Sequence, residues 1–197
     1  MNVLVVYCHP SEESFTRRVR DSFIEGLKAG GHSYEVSDLY KMGFRTDMSE
    51  SEYLREGFYN AEAPIEPDVQ AEQEKLQRAD GVAFIYPVFW TEAPAKLVGW
   101  FQRVWTYGYA YGPQAQMKQL EKAIFFATMG GSLEDEVRRI EAEAMKTVML
   151  DDRMYNRAKQ KEMIIFDRMT RGYGNDEQRE ILAVENCRRA YEMGMNF

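Results

Sequence analysis

Three short segments of this 197-residue chain combine residue types that could hold a planar, anionic ligand. The first is His9-Pro10-Ser11-Glu12-Glu13-Ser14-Phe15-Thr16. Its hydroxyls stand at what reads as a helix start, and fresh helix N–H groups cradle phosphate without needing a lysine. The second is Tyr86-Pro87-Val88-Phe89-Trp90-Thr91-Glu92-Ala93-Pro94-Ala95. Two prolines and two adjacent aromatics make a stiff, apolar loop, suited to the wall of a ring-binding slot. The third is Thr128-Met129-Gly130-Gly131-Ser132, where paired glycines let backbone approach a ligand closely. Each segment also has an ordinary structural reading: Ser11 and Ser14 as helix caps, 86–95 as a core loop, the glycines as a tight turn. Their order along one chain is what gives them weight. Neither G-x-G-x-x-G nor G-x-x-x-x-G-K occurs in these turns, so neither a Rossmann dinucleotide site nor a nucleoside triphosphatase is indicated.

Each segment follows an expected parallel strand, and ligands of doubly wound sheets sit at that edge. Val3 to Tyr7 is apolar throughout, as a strand covered on both faces must be. Val19, Phe23 and Leu27 then stack at helical spacing, and Gly30-Gly31 ends that helix. Ser33 to Asp38 alternates weakly and reads as an edge strand. Lys41 to Pro67 has no clear period but holds Phe44, Tyr53, Leu54, Phe58 and Tyr59, too many large apolar groups for disorder. It is expected to be an ordered excursion packing on something, another subunit included. Pro67-Asp68 opens a helix, Gly81 to Tyr86 forms a strand, and Pro94 starts an amphipathic helix. Lys122 to Thr128 supplies the fourth strand. Ser132 is the expected N-cap of the next helix, Met163 to Phe166 the fifth strand, and Asn175 with Gln178 a capping box for the last helix. The mixed-charge run Arg153 to Glu162 reads as a solvated helix face, and the methionines of the last third as adaptable core filler. The alternation gives an α/β fold, doubly wound, on a five-stranded parallel sheet of order 2-1-3-4-5. No linker or repeat divides residues 1–197, so one domain is expected.

Composition narrows the function. A net charge of −7 argues against a binder of nucleic-acid backbone, which needs a basic face. No apolar run reaches the length of about 18 residues that suggests a membrane span, and the N-terminus has no secretory pattern. Cys8 and Cys187, far apart, make neither a disulfide framework nor a zinc site, and no metal site is expected. These features point to a cytoplasmic protein with reduced thiols, and Cys8 is read as structural because a thiolate nucleophile needs an electropositive setting.

Taken in order, the motifs resemble those of the flavodoxin-like NAD(P)H:quinone oxidoreductases, the flavodoxin-2 family. The similarity runs through His9-x-x-x-x-Ser14-Phe15, Asp38-Leu39-Tyr40-Lys41-Met42-Gly43-Phe44 and Pro67-Asp68-Val69-x-x-Glu72-Gln73. Most specific is Tyr86-Pro87-Val88-Phe89-Trp90-x-x-x-Pro94-Ala95-x-Leu97-x-Gly99-Trp100-Phe101-x-Arg103-Val104. Tyr109-Ala110-Tyr111-Gly112 and Thr128-x-Gly130-Gly131-Ser132 follow, so the resemblance covers residues 1–135 or so. It implies a homodimeric flavoprotein, holding FMN or FAD, that takes hydride from NAD(P)H and passes it to a small-molecule acceptor such as a quinone. It implies further that His9, Ser14, Phe15 and Thr16 approach the flavin phosphate, and that Pro87, Val88, Phe89 and Trp90 line the isoalloxazine. By the same resemblance Thr128, Gly130 and Gly131 meet the ring's polar edge, while Tyr109 and Tyr111 reach over it from the partner subunit. Trp90, Tyr109 and Tyr111 are thus the implied catalytic residues.

The chain departs from the family pattern after the Gly-Gly turn. Mammalian-type members carry a Tyr and a His there, whereas this chain reads Leu133-Glu134-Asp135-Glu136-Val137-Arg138-Arg139-Ile140. Backbone N–H groups at Gly130 and Gly131, with an arginine such as Arg153, are left to stabilise the reduced flavin. The stretch from about 136 to 197 diverges as a whole. Two other roles are compatible with the resemblance: a flavin-binding regulator of a membrane transporter, and a flavodoxin-type electron carrier.

Overall fold

The computed structural model describes residues 1–172 and 174–197. Its strands are β1 (Asn2–Tyr7), β2 (Ser33–Asp38), β3 (Gly81–Pro87), β4 (Leu120–Thr128) and β5 (Ala158–Phe166). They form one parallel sheet of order β2-β1-β3-β4-β5, the expected doubly wound α/β arrangement. The central strands are apolar because both faces are covered. On one face α1 (Phe15–Ala29) and α6 (Asp176–Met195) bury Val5, Phe23, Leu27, Ile85 and Phe126. On the other, α3 (Pro67–Arg78) and α4 (Ala95–Val104) bury Leu76, Phe84, Leu97, Trp100 and Phe125. Phe84 stacks on Phe125 with centroids 4.7 Å apart, which fixes β3 against β4 just below the end that carries the site.

The excursion from Lys41 to Pro67 contains a helix that has no apolar period, α2 (Glu50–Gly57). A reciprocal cap starts it: the Ser49 hydroxyl accepts the Glu52 N–H, and the Glu52 carboxylate accepts the Ser49 N–H. Its inward residues are Glu52 and Arg55, so charge rather than hydrophobicity docks it. Arg103 of α4, fully buried, donates from Nε to Glu52 (2.7 Å), from both terminal nitrogens to Asp68 (2.5 and 2.9 Å) and to the Arg45 carbonyl (2.9 Å). The excursion therefore packs on its own chain.

Three further expectations are corrected. Ser132 does not cap α5 (Glu136–Lys146); Asp135 does, accepting from Val137 (2.8 Å) and Arg138 (3.2 Å), because the chain makes one more turn first. Asn175 and Gln178 form no capping box, and the Asn175 side chain makes no cap bond. The charged run 153–162 is not a helix face: α5 continues into a π-helical segment, Thr147–Arg153, and β5 begins at Ala158. Lys159 and Lys161 belong to a sheet-edge strand, where charge discourages unwanted pairing.

Candidate functional site

At the C-terminal ends of β1, β3 and β4 the three motif turns converge on one cavity of about 390 Å³. β1 delivers the first turn. Ser14 caps α1 by accepting the Arg17 N–H at 3.0 Å, and the first turn of α1 carries no acidic residue. The N–H groups of Phe15 and Thr16 precede the helix's own bonding and face outward as donors. His9 Nδ1 lies 2.9 Å from the Ser11 N–H and 3.1 Å from the Ser11 carbonyl, so the Ser11 backbone fixes the ring whichever nitrogen carries the proton, and Nε2 is left free of the turn. Burial holds His9 below the usual histidine pKa, opposed by its bond to the Ser11 backbone, so the neutral form prevails at pH 7.

β3 delivers the second turn. Pro87 closes the strand and the Val88 N–H reaches across to the Thr128 carbonyl (2.8 Å). Phe89 and Glu92 then exchange backbone bonds (2.8 and 3.2 Å) around a tight turn, with Trp90 at φ +61° and its indole 95% exposed. The turn is braced from below, where the Arg153 guanidinium holds both Glu92 carboxylate oxygens (3.1 and 3.2 Å) and lies over the Phe101 ring. Arg153 is thereby committed to Glu92 and does not line the cavity, contrary to the role expected of it.

β4 delivers the third. The Thr128 hydroxyl meets the Thr16 hydroxyl at 2.7 Å, buried, and locks the end of β4 to the first turn of α1. A Cβ on Gly130 would meet the Thr170 hydroxyl, which would have to swing aside to admit it. The segment after β5 runs alongside as a strap, with Arg168 N–H on the Gly131 carbonyl (2.9 Å) and Met169 N–H on the Met129 carbonyl (3.1 Å). Arg171 closes it by donating to the Glu13 carbonyl (3.3 Å).

The cavity thus brings together His9, Ser14, Phe15, Thr16, Pro87, Val88, Thr128 and Gly130. Gly131 lines a neighbouring cavity that shares Gly130 and Thr170 with the first. Phe89 and Trp90 project beyond the lining. Within one chain the tyrosines also stand apart: the Tyr109 hydroxyl donates to the Gln73 carbonyl (3.1 Å) and the Tyr111 hydroxyl to Glu56 (2.6 Å). Burial raises both phenol pKa values, so neither is a ready acid at neutral pH. Ser11, Glu13 and Met129, within the segments singled out in the sequence, also line it, whereas Met169, Thr170 and Arg171 are lining residues that sequence reasoning missed. For the strap no motif existed to find it.

The arrangement joins a helix start rich in N–H and hydroxyl donors to a short apolar wall of Pro87, Val88 and Met129. Cys8 takes no part, since it is fully buried and desolvation pushes its thiol up to about 12. Among the described residues no group of side chains has metal-ligand composition, and no helix is long and apolar enough to cross a membrane.

Known proteins share this arrangement of elements. In structure the chain is similar to an NAD(P)H:quinone oxidoreductase from Methanothermobacter marburgensis, with TM-score 0.88, 44% identity, and coverage of 98% of this chain and 96% of that one. In sequence it is 34% identical over 146 residues to NAD(P)H dehydrogenase (quinone) 1 of Rattus norvegicus, covering 66% of this chain and 53% of that protein. It is 32% identical over 149 residues to the ribosyldihydronicotinamide dehydrogenase (quinone) of Pongo abelii, covering 67% and 64%. The chain spans about half the length of the first curated relatives it matches. The family profile described as a flavodoxin-like fold matches residues 1–167, and the chain belongs to that family, flavodoxin-2.

Proposed function

We propose that the protein is a flavin-dependent NAD(P)H oxidoreductase whose acceptors are quinones or related electrophilic aromatics. The observation that carries this reading is one cavity where a helix start rich in N–H and hydroxyl donors meets a short apolar wall of Pro87, Val88 and Met129. The donor set fits a flavin mononucleotide moiety. Phe15 and Thr16 N–H, His9 Nε2 and Ser14 hold the phosphate, while Pro87, Val88 and Met129 exclude water from the ring. The Gly130 backbone meets the ring's polar edge, and the bond between Thr16 and Thr128 keeps the two ends of the slot in register. When bound, the flavin supplies the two-electron hydride chemistry that side chains cannot. The chain's own task is alignment, and donor and acceptor occupy the same face in turn, so the kinetics are ping-pong. The names of the relatives support the same reading.

The test is anaerobic mixing of flavin-loaded protein with NADH and with NADPH. At least one donor should remove the flavin's visible absorbance, and benzoquinone should restore it. No change with either donor overturns the reading. Chromatography of the released flavin identifies it as FMN or FAD.

Trp90 is proposed as the wall against which nicotinamide and acceptor rest. Its exposed indole contributes little to the fold, so Trp90→Ala should leave flavin content and melting temperature unchanged. Turnover should fall about tenfold, roughly 1.4 kcal/mol of barrier. Unchanged turnover removes Trp90 from the site.

Assembly as a homodimer is part of the proposal. Tyr53, Phe58 and Tyr59 lie on or just beyond α2, each at least 65% exposed, an apolar cluster of a kind that marks an interface. A symmetric partner would cover it and bring Tyr111, and Tyr109 behind it, towards the other chain's slot. Sedimentation at micromolar concentration should report a dimer, and a fully active monomer contradicts it.

A further inference from the structure

We propose that a second cavity, at the open edge of the sheet, binds a small amphipathic organic anion such as a medium-chain or aromatic carboxylate. This site does not depend on the function proposed above. It lies between α5, β5 and α6 and encloses about 410 Å³, within the usual range for small-molecule sites. Its floor is apolar, made by Leu133, Ala142, Met163 and Ile165. Its rim is cationic, with Arg139, Lys146 and Arg189 set against the single carboxylate of Glu143.

Glu143 is already engaged by Lys146 at 2.7 Å. Arg139 donates to the Glu134 carbonyl (3.0 Å), and among the described residues neither Arg139 nor Arg189 forms an ion pair. In a chain of net charge −7, two guanidinium groups without carboxylate partners over an apolar floor are a local reversal of sign. A guanidinium takes a carboxylate through two parallel N–H donors, and the floor accepts the hydrocarbon that follows.

A peptide strand is the less suitable occupant. β5 is the outermost strand, but its first half carries Lys159, Lys161 and Glu162, charges that oppose strand addition along the edge. A compact ligand confined to the Met163–Ile165 half avoids them. The floor residues also belong to a cluster with Met129 and Val88, and those two line the flavin cavity. The ligand would rest on the back of the layer whose front faces that cavity, without entering it.

The experiment is calorimetric titration of flavin-loaded protein with decanoate, alongside decanol as the uncharged counterpart. One decanoate should bind per chain, and decanol should bind more weakly. The double variant Arg139→Glu/Arg189→Glu should lower decanoate affinity more than tenfold with melting temperature and flavin content unchanged. Arg188→Glu, on α6 but outside the lining, should leave affinity as in the parent. Absence of decanoate binding overturns the proposal, as does equal loss from Arg188→Glu. Displacement of flavin by decanoate would place binding in the other cavity and equally overturn it. A change in sedimentation of the ligand-free double variant would assign this face to a second copy of the chain instead.

Discussion

Replacing Arg103 with leucine should destabilise the protein by about 3 kcal/mol, a penalty of the size seen when one partner of a buried ion pair is removed. The guanidinium is fully buried and serves α2 through Glu52, α3 through Asp68 and the intervening chain through the Arg45 carbonyl. Leucine would leave Glu52 with only Arg45 and the Ser49 N–H as partners, strip Asp68 of its guanidinium and loosen α2 from the body of the fold. For a chain of this size the melting temperature should fall on the order of 10 °C. Arg103→Lys keeps the charge but loses the fork, and should fall between. The effect has a pH signature. Hydrogen bonding to Arg103 holds the Asp68 carboxyl below its usual pKa. Its stabilisation is therefore complete above the unfolded-state value of about 3.9 and is lost as pH falls through the lower folded value. The stability gap between wild type and Arg103→Leu should begin to narrow as pH falls below about 4. A parallel pair of melting curves down to pH 3 would refute this assignment.

Gly130→Val should abolish flavin retention, with affinity falling at least a hundredfold, about 2.7 kcal/mol. The cause lies in the strap rather than in the ligand. A Cβ on residue 130 collides with the Thr170 hydroxyl, and a branched side chain would push the strap from its bonds to Met129 and Gly131. Met169, Thr170 and Arg171, all lining residues, would move with it. Gly130→Ala should be milder, because a threonine hydroxyl can rotate away. Gly130→Val/Thr170→Ala should recover part of the loss. The sheet lies below the turn, so circular dichroism should be unchanged throughout. A Gly130→Val protein that retains its full flavin spectrum would show that the slot lies elsewhere.

The parts legible in the sequence were those whose burial is apolar. β1, β3 and β4 are covered on both faces and read as continuous apolar runs, and α1 and α4 present one stripe each. What escaped was built from charge. α2 buries Glu52 and Arg55, so its period is invisible to hydropathy, although Ser49-x-x-Glu52 is a capping signal that could have found it. The first half of β5 alternates lysines at a sheet edge and reads like a solvated helix. Arg153 looked like a free cation because nothing in the chain's order announces Glu92, 61 positions earlier, as its partner. The glycine turn was found, but its reason was not, since Thr170 meets Gly130 only after β5 has returned to the sheet.

The π-helical segment 147–153 carries a consequence for helical phase. In it each bond spans five residues rather than four, as where Met154 N–H reaches the Met149 carbonyl (3.0 Å). Each residue there turns the chain through a smaller arc than in α5, so the azimuth of Arg153 depends on the looser winding of the whole segment. Deleting one residue would let the segment rewind as an ordinary helix with Arg153 nearly in phase, whereas rewinding all seven residues would turn Arg153 by about 100°, away from Glu92. The Phe89–Glu92 turn would lose its counter-charge although none of its own residues had changed. The pose of Trp90 is thus set by how tightly a distant helix is wound.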